Sequence, residues 1–196
     1  MGDLRRAAWL VAPFAAWMAL MAALPPTATA YAVRTAVTAA LLAVVLWRLP
    51  FSFAVRGRDL ACGVAAGLAV FVVWVAPEQF EWPWYRRLFI LGEGGTEAVA
   101  EAAAWAVAVR LLGSAFVISV AEELFFRRWL LGFAGFGWMV ALFAVEHDRW
   151  LVGAVAGAVY GLLAIRRGLA SAIVAHATTN LVLGLWVLWS GQWQFW

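Results

Sequence analysis

The sequence is short of almost everything from which a water-soluble domain is built. Only 13% of its 196 residues are charged, whereas 66% are hydrophobic and the mean hydropathy is +0.89. A soluble domain is nearer about half apolar and about a quarter charged, so a soluble globular protein is excluded. Cys62 is the only cysteine, which rules out an intramolecular disulfide and a cysteine metal cluster. It lies in an apolar run and reads as a small core residue. Lysine is absent: all 14 basic residues are arginine, a bias of genome base composition rather than of mechanism. The chain has only two histidines, His147 and His176. The helix signature of zinc proteases, His-Glu-x-x-His, is missing.

What remains is apolar helix. The hydrophobic runs are long and do not alternate with period two, which points to membrane-spanning helices rather than a barrel. A first helix is expected from about Trp9 to Leu24, retained rather than cleaved as a signal and ended by Pro25-Pro26. A second runs from about Tyr31 to Leu49, and a third from about Leu60 to Ala76, stopped by Pro77. Glu78 to Gly95 is too polar to span, and its Trp82, Trp84 and Tyr85 suggest an interfacial belt. A fourth helix from Thr96 or Glu97 to Leu131 would be about 50 Å long at 1.5 Å per residue. It must tilt, break near Gly113 or begin outside the membrane. Glu97, Glu101 and Arg110 give it a polar stripe. A short fifth helix (Trp138 to His147), a sixth (Trp150 to Ile165) and a seventh (Leu169 to Trp189) complete an all-α polytopic membrane bundle of about seven spans. Gly153, Gly157 and Gly161 recur every four residues and invite close approach of a neighbouring helix. No repeat of 20–50 residues is present, so the chain is read as one integrated domain.

The pI near 9.7 does not signal nucleic acid, because the arginines cluster at helix ends. Nine of them (Arg5, Arg6, Arg48, Arg56, Arg58, Arg127, Arg128, Arg166, Arg167) fall on one face. Four (Arg34, Arg86, Arg87, Arg149) fall on the other. The positive-inside rule then places the N-terminus in the cytoplasm, in a bacterial inner membrane.

Against that background, Glu122-Glu123-Leu124-Phe125-Phe126-Arg127-Arg128 puts four charges where lipid-facing helix is expected. An ionisable residue at membrane depth is costly, so it is a functional-site candidate by default. Counting helical rise from the flanking turns places Glu122 roughly 7 Å, His147 roughly 15 Å, His176 roughly 12 Å and Asn180 roughly 18 Å from one face. Three helices thus bring polar groups to overlapping depths. Glu123 and Arg127, four apart, can pair as a brace. Glu122 points about 100° away and is the candidate general base. His176 and Asn180, also four apart, can donate hydrogen bonds to an oxyanion. Glu146 and Asp148 read mainly as loop acids, either of which could orient the ring of His147.

These motifs resemble the CPBP family, which comprises type II CAAX prenyl endopeptidases and bacteriocin-processing "Abi" membrane proteases. The family pattern Glu-Glu-x-x-x-Arg, Phe-x-x-x-His and His-x-x-x-Asn appears as Glu122-Glu123…Arg127, Phe143…His147 and His176…Asn180. Residues 96–196 would form the catalytic helical core, and residues 1–95 the N-terminal transmembrane helices and interfacial loop. The resemblance implies an endopeptidase in which Glu122 and His147 activate water while His176 and Asn180 stabilise the oxyanion. A metal-free mechanism is favoured; the zinc alternative would use Glu122, His147 and His176. The expected substrate is a membrane-tethered protein or peptide cut near its C-terminus, within the lipid bilayer and without nucleic acid. Tyr31-Ala-Val-Arg34 and the early helices are similar to the CAAX-protease-related subgroup of bacterial C-terminal sorting systems. That similarity implies a C-terminal membrane tail rather than a prenyl group. The alternative is a non-catalytic immunity or scaffold protein of the same fold. A transporter is disfavoured, since inverted repeats and paired broken helices are lacking.

Overall fold

The computed structural model describes residues 2–49, 56–80, 83–91 and 103–195. Over these residues the chain is helical: α1 (Gly2–Ala23), α2 (Ala28–Arg48), α3 (Gly57–Gln79), α4 (Pro83–Phe89), α5 (Ala104–Ala134), α6 (Phe136–Val145), α7 (Trp150–Arg167) and α8 (Leu169–Ser190). Six of them, all but α4 and α6, are long and apolar enough to cross a membrane. The protein is an integral membrane helix bundle, with α6 as a short seventh member.

Local chemistry sets the joints. Thr27 accepts from the Ala30 amide at 3.2 Å and so caps α2 just after Pro25-Pro26. Gly135 and Gly168 take φ of 83° and 94°, which lets the chain reverse between α5 and α6 and between α7 and α8. Pro77 does not stop α3, which runs on to Gln79. A proline near a helix end removes one amide bond that the last turn can spare. Between α3 and α5 the chain forms the short helix α4. There Trp84 is exposed while Tyr85 is buried, so Tyr85 is a packing residue and not part of a belt. Trp82, Glu97 and Glu101 lie outside the described residues. The long helix begins at Ala104, and at 31 residues it spans about 46 Å. It changes geometry near Gly113: Gly113–Ile118 and Leu124–Leu130 are π-helical, and a single α turn, Ser119–Glu123, is held between them. Such widened turns are frequent at functional sites.

Glycines fix how closely the helices meet. α6 and α7 form an antiparallel hairpin. A methyl on Gly157 would fall 3.1 Å from Phe143 Cδ1, and one on Gly161 would fall 2.5 Å from Met139 Cε. The ladder in α7 therefore faces α6. α3 and α8 run parallel, with Gly63 against Ser171 and Gly67 against Ala175. The Asp59–Arg167 ion pair (2.9 Å) ties the start of α3 to the end of α7, just before α8, and the reciprocal Gln79–Gln192 amides (2.6 and 3.1 Å) tie the end of α3 to the turn after α8. α1 packs on the second half of α5 through Phe14, whose ring lies 4.8 Å from Phe125 and 5.4 Å from Phe126. α2 packs on the first half of α5, where Tyr31 donates to the Arg110 carbonyl at 3.3 Å.

Candidate active site

The α turn between the two π segments carries Glu122 and Glu123, both buried. Glu123 Oε1 lies 3.0 Å from Arg127 Nη1, and both side chains are fully enclosed. The i, i+4 pair expected from spacing is present, but Arg127 is a site residue and not a marker of the basic face. Its guanidinium sits 4.1 Å from the Phe143 ring centroid and 5.4 Å from that of Tyr160, so two aromatic faces share its charge with Glu123. The same Glu123 oxygen meets His176 Nδ1 at 2.9 Å. An ionised carboxylate only accepts, so Nδ1 carries the proton. The other ring nitrogen, Nε2, is thereby turned to Glu122 Oε2, 3.8 Å away. That separation exceeds a hydrogen bond.

Tyr160 fixes the plane of His176. Its ring stacks on the imidazole at 4.9 Å and 21°. Its hydroxyl donates to Thr179 Oγ1 at 2.6 Å, and Thr179 is anchored to the Gly67 carbonyl (2.9 Å) and to Ala175 (3.0 Å). Tyr160→Phe keeps the stack and loses the tether. It should lower stability by about 1 kcal/mol, measured by thermal unfolding in detergent.

His147 stands just past α6. Its Nδ1 donates to the Phe143 carbonyl at 2.7 Å, and its ring packs 4.7 Å from Phe143 and 5.4 Å from Trp74. The backbone, not Glu146 or Asp148, therefore orients this ring. His147 also sits deeper than rise-counting from Gly137 implies. α6 starts beside Gly161, and His147 Cβ reaches the level of Gly153. Gly153 is 14 residues from Arg167, or about 21 Å along α7. Asn180 Nδ2 donates to the Ser114 carbonyl at 3.0 Å and to Ser119 Oγ at 3.1 Å. Ser119 itself donates to Ser114 O at 3.0 Å, so Asn180 is pinned to the first π segment.

Glu122, His147, His176 and Asn180 all line one cavity of about 530 Å³. Tyr160 and Thr179 line it too, as does Glu146, whose buried Oε2 has no hydrogen-bond partner among the described residues. The sequence reads Glu146 mainly as a loop acid that could orient His147, places Tyr160 in the stretch that resembles the family's last two helices without giving it a role, and does not point to Ser119 or Thr179. Only Glu146 left a signal, since a second carboxylate beside one of two histidines is rare in so apolar a chain. Among the described residues, no three His, Cys, Asp or Glu side chains converge in metal-holding geometry. Glu122, His147 and His176 share the cavity without forming such a set, so no step is routed through zinc.

Residues 104–182 match the family model described as type II CAAX prenyl endopeptidase Rce1-like. No match is found among curated proteins or among solved structures.

Proposed function

We propose that the chain, whose residues 104–182 match the type II CAAX prenyl endopeptidase Rce1-like family model, is an intramembrane endopeptidase of that type. It hydrolyses a peptide bond near the C-terminus of a membrane-tethered protein. One observation supports this most: four polar residues from three separate stretches of the fold line a single cavity inside an otherwise apolar bundle. Glu122 takes a proton from a water that His147 helps to orient through its free Nε2, and the water oxygen attacks the scissile carbonyl. His176 faces the same space through Nε2. Glu123 holds His176 from behind, and Arg127 and the aromatic faces balance the Glu123 charge. Asn180 reaches the developing oxyanion by releasing the Ser119 hydroxyl, the longer of its two contacts. The proton taken by Glu122 then goes to the departing amine. The reaction is metal-free, and activity should survive exhaustive chelation of the purified chain.

The test is reconstitution of the full chain in liposomes with two probes, followed by mass spectrometry of the products. One probe is a prenylated CAAX peptide; the other is a single-span protein ending in a short, unprenylated membrane tail. The second is the expected substrate. Glu122→Gln and His176→Ala should each reduce its cleavage by about 10²–10⁴-fold while the protein stays folded. Full activity in both variants, or no cleavage of either probe by the wild type, would falsify the protease reading in favour of a non-catalytic protein.

A further inference from the structure

A second cavity, of about 430 Å³, adjoins the active-site cavity. It is lined by Glu78 and Gln79 at the end of α3, Pro83 and Arg86 of α4, and Gln192 and Gln194 after α8. Every lining residue but Pro83 is polar, in a bundle that is otherwise apolar. The two cavities have Gln194 in common, and one ion pair stands between them. Glu78 lines the second cavity, while its partner Arg149 lines the first. Both side chains are more than nine-tenths buried. Glu78 meets Arg149 through Oε1, and its Oε2 is buried with no hydrogen-bond partner among the described residues. The Arg149 guanidinium also lies 4.6 Å from the Phe195 ring centroid, so the pair is held on two sides.

The chemistry of this second cavity suits a peptide main chain. Gln79 and Gln192 close a ring of two hydrogen bonds, which leaves each amide one N–H and one carbonyl lone pair. The Gln194 side-chain amide has no partner among the described residues. Glu78 Oε2 is an acceptor without a donor, and a buried group left so costs about 1–3 kcal/mol. A peptide group offers its N–H to Glu78 and its C=O to a glutamine amide. An ionic ligand has little to meet, because Arg149 neutralises Glu78 and the remaining charge, on Arg86, is exposed. Helical rise sets the distance between the two sites. Gly67 packs against Ala175, next to His176, and Gln79 lies 12 residues farther along α3 (67 to 79), or about 18 Å. An extended chain advances about 3.3 Å per residue, so five or six residues join them.

We infer that the second cavity is a substrate subsite, which binds the main chain of the polar stretch about five or six residues from the scissile bond, on the side away from the membrane tail. Its role as a subsite rests on the protease reading and adds to it a requirement for length. An apolar tail gains nothing from glutamine amides. A hydrated stretch exchanges its water partners for Glu78, Gln79, Gln192 and Gln194. Main-chain hydrogen bonds are indifferent to the side chains that accompany them. The subsite therefore selects an extended segment that carries its N–H groups, not a particular sequence. Gln194, common to both cavities, is the residue over which that segment passes.

The test uses the full chain in liposomes and the unprenylated single-span probe, with its cut located by mass spectrometry. A second probe carries proline, which lacks an N–H, at the fifth and sixth residues from the cut on the polar side. The wild type with the proline probe, and Gln194→Leu with the unaltered probe, should each show a KM raised about fivefold and kcat within about twofold. Together the two penalties should not add, since either one already unseats the stretch. Gln192→Ala should show the same split and stands in if Gln194→Leu does not fold. An unchanged KM, full additivity or a fall in kcat alone overturns the subsite. Contact is read without cleavage in the combined variant Cys62→Ala, Glu122→Gln, Gln194→Cys, by disulfide formation with single cysteines scanned through the polar stretch of the probe. A crosslink five or six residues from the cut is expected, and its absence overturns the subsite. If the wild type cuts neither probe while the scan crosslinks, the subsite stands and the protease reading falls.

Discussion

Arg127→Leu should lower stability by about 3–5 kcal/mol, because it strips a buried carboxylate of its counter-charge. Glu123 and Arg127 have no solvent-exposed side-chain surface, and their 3.0 Å contact is a single oxygen to a single nitrogen. The Arg127 N–H groups have no hydrogen-bonding acceptor among the described residues, so the guanidinium is held by charge and by the faces of Phe143 and Tyr160. Removing it leaves Glu123 facing His176 alone. The double variant Glu123→Gln with Arg127→Leu should recover much of the loss, since neither charge is then stranded. A cycle of the four proteins, followed by thermal unfolding in one detergent, isolates the coupling. Unfolding of Arg127→Leu at the wild-type temperature would show that the pair is a bystander. Catalysis separates from stability here. The double variant should fold yet cut poorly, because the neutral amide at 123 holds the His176 ring without charge.

Much of this site is legible in the sequence because ionisable groups are so scarce. With two histidines in the whole chain, shared depth with Glu122 was already informative, and the four-residue spacing of Glu123 and Arg127 named the pair directly. Other features were hidden for physical reasons. Tyr160 and Thr179 cost little in an apolar helix, since a hydroxyl can bond within its own helix or to a neighbour, so their presence announces nothing. The π segments on either side of Glu122 are announced by no local pattern in the helix. Depth counting failed for His147 because it assumed that α6 starts at the membrane face. Contact with Gly161 shows that it starts farther in. Arg127 was counted with the basic face because spacing from a turn cannot tell a buried cation from an exposed one. The glycine ladder of α7 was plain, whereas the equally spaced Gly63 and Gly67 of α3 were overlooked, although they make the closer contact with the site helix.

That contact gives the second large effect. Gly67→Ala should cost about 3 kcal/mol, at the upper end for overpacking, because the added methyl has no room to move. It would lie 2.4 Å from the Ala175 carbonyl and 2.7 Å from Thr178 Cβ, one a backbone atom and the other a branched carbon on α8. α3 and α8 must therefore part, and small residues exist at such interfaces to let backbones approach. Gly132→Ala is the matched control. A methyl there meets nothing within 4 Å, so its effect should stay within about 0.5 kcal/mol. The lesion at Gly67 should also reach the site. Its carbonyl accepts from Thr179, Thr179 accepts from Tyr160, and Tyr160 stacks on His176. Parting the helices loosens that chain, so the fraction of Gly67→Ala that remains folded at low temperature should still cut more slowly than the wild type. An unchanged rate per folded molecule would mean that His176 keeps its plane without the α3 anchor, and that Glu123 alone sets its orientation.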